Sequence, residues 1–149
     1  MKTKLLYTTL LLLSALAHGQ DQKDAIQGLW LNHEKNAIVE IYEEGNIYYG
    51  RIHEVLAIPE EKSKALTAEQ RQKGKAQMKG KLVLTDLTFK KDKWVNGKIL
   101  NPKDNSTRAS CTAYLENANN DLNLRIKKGF LSATKVWTRV EDNALADEK

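Results

Sequence analysis

A two-residue alternation of apolar and polar side chains recurs through this chain from residue 37 to residue 140, and it confines the fold to the all-β class. The alternation is cleanest at 122–127, "LNLRIK", where Leu122, Leu124 and Ile126 face one way and Asn123, Arg125 and Lys127 the other. Side chains on a strand point to opposite faces in turn, so this spacing suits a sheet with one buried side. "AIVEIYE" at 37–43 and "IYYGRIHEV" at 47–55 flank the turn "EGN" and predict a hairpin. Gly50 interrupts the second of these strands, the mark of a bulge, a bend or a close approach. "KLVLTDLTF" (81–89), "KWVNGKIL" (93–100), "TRASCTAYLE" (107–116) and "TKVWTRV" (134–140) continue the pattern, with turn-forming residues between them. About eight short antiparallel strands at regular spacing predict a small up-and-down β-barrel, a closed form that leaves no exposed edge, or a sandwich.

One segment departs from the pattern. Residues 59–80, "PEEKSKALTAEQRQKGKAQMKG", hold no strand. Thr67 and Gln70 stand at the spacing of a capping box, which predicts one short helix in a long connection, with Gly74 as its expected end. The stretch 62–81 is basic, and it reads as a solvated loop, with a lid or a contact with anionic envelope polymer as the alternatives.

The N-terminus is different in kind. Met1-Lys2-Thr3-Lys4 is basic, Leu5 to Leu16 is almost wholly apolar, and Ala17-His18-Gly19 offers small residues at the positions a signal peptidase reads. Residues 1–19 are therefore expected to be a secretory signal peptide, with an exported protein, periplasmic or secreted, as the product. The remaining chain, 20–149, is expected to form a single β-barrel domain with its core at 27–140 and an acidic tail at 141–149. No transmembrane anchor is expected once the signal is cleaved. Removal of Lys2 and Lys4 lowers the net charge from +5 to +3. So mild a charge does not suggest a nucleic-acid partner, although it allows attraction to an anionic envelope component. Cys111 is the only cysteine, so no internal disulfide can form and the fold must rest on its core.

The two ends of the domain carry matching features. "GLW" at 28–30 opens it and "KVWTRV" at 135–140 closes it. In an up-and-down barrel the first and last strands are neighbours. Trp137 and Arg139 share a face of the last strand, so Arg139 is expected to stack on Trp30, with Gly28 leaving room for the chain to enter. The alternative is that Trp30 and Trp137 are ordinary core aromatics and Arg139 is solvated. Gly28, Trp30, Trp137 and Arg139 are thus the expected barrel-closure residues. This Gly-x-Trp with a late Arg resembles the shared feature of the calycins, the superfamily that contains the lipocalins. A more specific resemblance covers Gly28 to Arg139. "GLW", "IVEIY", "GNIYYGRI", "KGKLVLTDLTF", "KWVNGKILNP" and "LNLRIKKGFLSATKVWTRV" are similar, in order, to the exported bacterial family known as domain of unknown function 2147. That resemblance implies a barrel and export, and no established activity. The chain departs from the family at Leu100-Asn101-Pro102, at 105–108 and at Ser132-Ala133-Thr134, so it is a divergent member.

Candidate chemistry is sparse. His33 and His53 lack the third ligand that a metal site requires, and no metal or cofactor is expected. No serine sits in a nucleophile elbow, and no catalytic residue is assigned. Glu40 and Glu54 lie on adjacent strands, where two carboxylates could meet. Cys111 shares a face with Ala109, Ala113 and Leu115 and is expected to be a buried small hydrophobe. Small inward residues could leave space in the barrel. The expected ligand-binding lining is Tyr48, Gly50, Ile52, Leu82, Leu84, Cys111, Leu122, Leu124 and Ile126; the alternative is a solid core. The leading function is a non-enzymatic binding module for a small apolar or amphipathic ligand, inside the barrel or at its mouth. The alternative is an envelope structural or interaction domain with a filled barrel, and a small hydrolase is a third reading.

Overall fold

The computed structural model describes residues 22–141. The expected signal peptide and all but the first residue of the expected acidic tail lie outside that range. Eight strands form a closed antiparallel barrel in sequence order: β1 (Gly28–Leu31), β2 (Ala37–Glu44), β3 (Ile47–Val55), β4 (Leu82–Lys90), β5 (Lys93–Leu100), β6 (Thr107–Glu116), β7 (Asp121–Lys128) and β8 (Leu131–Val140). Closure comes from β1 pairing with β8, in a register that sets Trp30 directly opposite Arg139. The alternating strands supply the wall because each can bury one face inside and leave the other in water.

The connection between β3 and β4 holds two helices where one was expected, α1 (Glu60–Ser63) and α2 (Ala68–Met78). The capping box of α2 forms as the sequence predicts: Gln70 N–H donates to Thr67 Oγ1, and Thr67 N–H donates to Gln70 Oε1. Gly74 does not end the helix, which runs on to Met78. A glycine is costly mid-helix but does not break it, and here nothing crowds the position. Neither helix buries a residue, so both ride on the outside.

Two strands slip out of strict alternation. On β4 the inward series passes from Leu84 to Leu87, and on β5 from Trp94 to Gly97. Asp86 and Asn96 take a left-handed backbone at φ 62° at these points. Each slip inserts an extra residue against the neighbouring strand: Gly50 and Tyr48 pair with Leu84 and Leu87, and Cys111 and Ala113 with Gly97 and Trp94. The bulges turn Leu87 inward, where it is fully buried, and leave Asp86 outside in an ion pair with Lys98 at 2.7 Å.

The barrel has two unlike ends. One carries the β2–β3, β4–β5 and β6–β7 turns and both chain ends of the domain. Residues 22–27 fold across it as a plug. The core begins at Ile26, fully buried, rather than at the expected residue 27. The other end, the mouth, carries the β1–β2, β3–β4, β5–β6 and β7–β8 connections.

Candidate functional site

The plug end is built from aromatic rings whose polar atoms all terminate on residues 23–26. Trp30 Nε1–H donates to Ile26 O at 2.9 Å, Trp94 Nε1–H to Lys23 O at 3.2 Å, and the Tyr48 hydroxyl to Asp24 Oδ1 at 3.3 Å. Buried Trp and Tyr need such partners. Among the described residues, no buried side-chain polar atom lacks one. Burial, and then the Asp24 carboxylate, push the Tyr48 phenol up to about 12.

Arg139 locks this end. Its guanidinium lies over the Trp30 ring, 4.1 Å from the centroid. Nη1 donates to Gln27 O at 3.0 Å, Nη2 to Ala25 O at 2.6 Å, and Nε to Asn119 O at 2.9 Å. One side chain therefore ties β8 to the plug and to the β6–β7 turn. Burial holds it below the usual guanidinium value, against the opposing pull of Glu141. Gly28 is required twice over: its φ is +124°, and a Cβ there would stand 3.0 Å from Arg139 Nη1. Trp137, 8% exposed, joins the same core.

The residues expected to line a ligand site divide into two groups. Tyr48, Leu84, Cys111, Leu122 and Leu124 pack with Trp30, Trp94, Trp137 and Ile26 in one core cluster. Gly50 and Ile52 are buried beside them. Glycines mark how closely these side chains fit. A Cβ on Gly97 would come within 2.5 Å of Leu87 Cδ2 and 2.6 Å of Cys111 Sγ, and one on Gly50 within 2.9 Å of Leu84 Cβ. The small residues thus accommodate neighbouring side chains, as close packing demands. Burial pushes the Cys111 thiol up to about 12, which keeps it protonated and unreactive.

Leu82 and Ile126 are different: both are half-buried, at the mouth. Ile99 and Ala109 oppose each other there, and Ile126 opposes Ala133. These inward positions place apolar side chains at the open end: Leu82, Ile99, Ala109 and Ile126 are half-buried and Ala133 is exposed. Sequence reasoning assigned Leu82 and Ile126 to the lining and overlooked Ile99. Its signal was available, two residues beyond inward Gly97, but the bulge at Asn96 disguises it. Lys135, also inward, bonds Glu34 of the β1–β2 connection at the rim.

A cleft of about 1010 Å³ runs along β5–β8 past Lys93, Tyr114, Glu116 and Arg125, and a second of about 610 Å³ crosses β1–β3. Glu40 does not meet Glu54; it pairs with Arg51 at 2.7 Å, and the Arg51 guanidinium lies 4.8 Å from the Tyr42 ring centroid. Asn123, expected in solvent, is only 5% exposed and donates to Glu116 Oε2 at 3.1 Å. Among the described residues no three His, Cys, Asp or Glu side chains gather as a metal site, and no helix is long and apolar enough to cross a membrane.

Comparison with known proteins agrees with the architecture. The model of a family described as "Uncharacterized protein conserved in bacteria (DUF2147)" matches residues 28–139. Among solved structures, one described as "Protein HP1028 from the human pathogen Helicobacter pylori belongs to the lipocalin family" superposes with a TM-score of 0.58 at 23% identity. The match covers 82% of this chain and 87% of that one. No curated protein matches in sequence.

Proposed function

The chain belongs to the bacterial family DUF2147, and from that premise we propose that it is an exported binding module for a small apolar or amphipathic ligand, seated at the mouth of a lipocalin-like barrel. One observation carries the reading. Buried inward side chains fill the barrel from the plug to the level of Cys111, and beyond it the inward apolar residues Leu82, Ile99, Ala109 and Ile126 are only half-buried and Ala133 is exposed, the lining of the proposed cup. An apolar concavity with a polar rim suits a ligand that buries a short hydrocarbon part and leaves its head in water. The Glu34–Lys135 pair at the rim offers that head a polar neighbour. The basic start and apolar run of residues 1–19 support the exported part of this reading.

Native mass spectrometry of the protein purified from its own host's envelope tests this directly. A non-covalent adduct of lipid size is expected. Titration with a fluorescent fatty acid should saturate, and Ala109→Trp, which fills the cup, should weaken binding by about tenfold or more. A bare native mass together with no saturable probe binding would overturn the reading.

A further inference from the structure

The β7–β8 hairpin is the one element of the barrel that leaves large apolar side chains in water at its tip. Phe130 is 97% exposed and Leu131 63%. The hairpin also outruns β1. On β8, residues 131–134 are all exposed, because β1 pairs only with Thr138, Arg139 and Val140. On the other side, pairing with β6 stops at Lys127, although β6 itself begins at Thr107. An aromatic ring held out on a projecting turn gains nothing for the fold, and water penalises it.

The charged residues next to the turn on the hairpin itself are basic. Lys127 and Lys128 precede the turn, and among the described residues neither makes an ion pair. Arg125 is exposed two positions before Lys127. The β3–β4 connection at the same end of the barrel carries Lys62, Lys64, Arg71, Lys73, Lys75, Lys79 and Lys81 against Glu60, Glu61 and Glu69. Exposed apolar side chains flanked by unpaired lysines match the chemistry of an anionic bilayer surface. The rings enter the interface, the lysine stems lie along it, and the ammonium groups meet lipid phosphates.

We propose that the β7–β8 tip docks this end of the barrel on an anionic lipid membrane, with Phe130 and Leu131 inserted and Lys127 and Lys128 on the headgroups. Docking there would bring the mouth to the bilayer. It stands or falls separately from ligand binding in the cup.

Vesicle flotation of the protein purified from its own host tests it. Phosphatidylcholine vesicles containing phosphatidylglycerol should carry the protein, and pure phosphatidylcholine vesicles should carry much less. Salt at about 1 M, where the Debye length falls to about 3 Å, should weaken binding. Phe130→Ser with Leu131→Ser should reduce bound protein about tenfold, and Lys127→Glu with Lys128→Glu should abolish the preference for the anionic lipid. Both pairs lie outside the core, so thermal unfolding should not change. Wild-type protein that stays in the supernatant with both lipids would overturn the proposal and leave the tip to a protein partner. So would a Ser pair that floats like wild type.

Discussion

Replacing Arg139 by Ala should release the plug and loosen the whole barrel. The side chain makes a cation–π contact at 4.1 Å and three hydrogen bonds to backbone carbonyls at 2.6–3.0 Å. A cation–π contact in a partly desolvated place contributes roughly 1 kcal/mol. Bonds from a charged donor can contribute about 1.5–3 kcal/mol each, but the residue is only half-buried and water can replace it at the freed carbonyls. The three together are set at about 2 kcal/mol. The total of about 3 kcal/mol corresponds to a fall in Tm of roughly 10–15 °C for a domain of this size. Arg139→Lys keeps the charge without the planar fork and should lose about half as much. The assay is thermal unfolding by circular dichroism, paired with limited trypsin digestion at Lys23, whose carbonyl is held by Trp94. Faster cleavage at Lys23 in Arg139→Ala marks plug release. A Tm within about 3 °C of wild type, with cleavage unchanged, would refute the lock.

Three further outcomes are expected. Gly97→Ala drives a methyl into Leu87 and Cys111 and should destabilise by roughly 2 kcal/mol in urea unfolding, with Cys111→Ala restoring part of it. Native Cys111 should resist a thiol reagent at pH 8 and react at once in denaturant. Its thiol is raised from 9.0 to about 12 in the fold, so its contribution to stability is complete below pH 9 and lost between about pH 9 and 12. Tyr48, raised from 10.0 to about 12, adds to the same alkaline loss, and Cys111→Ala should flatten the lower part of that limb in urea titrations. Thr67→Ala removes the capping box of α2 at a local cost of about 1 kcal/mol. Because that helix buries nothing, hydrogen exchange in 68–72 should quicken while the Tm of the barrel stays within about 1 °C.

The candidate site was legible only in part. Tyr48, Leu84, Leu122 and Leu124 could be placed inside because strict alternation holds on their stretches of strand. Leu87 and Ile99 could not, because each lies beyond a bulge, and one extra residue reverses every later side chain on that strand. The plug at 22–27 gave no periodic signal at all. Ile26 is the one large apolar residue in a mostly polar stretch, and only the polar atoms of Trp30, Trp94 and Tyr48 explain why the chain turns back there.

By itself, then, the amino-acid order determined the all-β class, the approximate strand spans and the capping box of α2, and it raised the meeting of Trp30 with Arg139 as one of two expectations. These depend on local periodicity and on one topological fact, that a closed meander joins its first strand to its last. Tertiary structure alone decided how fully the plug end packs, where the inward apolar side chains become exposed and which turn leaves Phe130 and Leu131 in water. Those depend on side-chain volumes meeting across strands far apart in sequence, as when Gly97 makes room for Leu87 and Cys111.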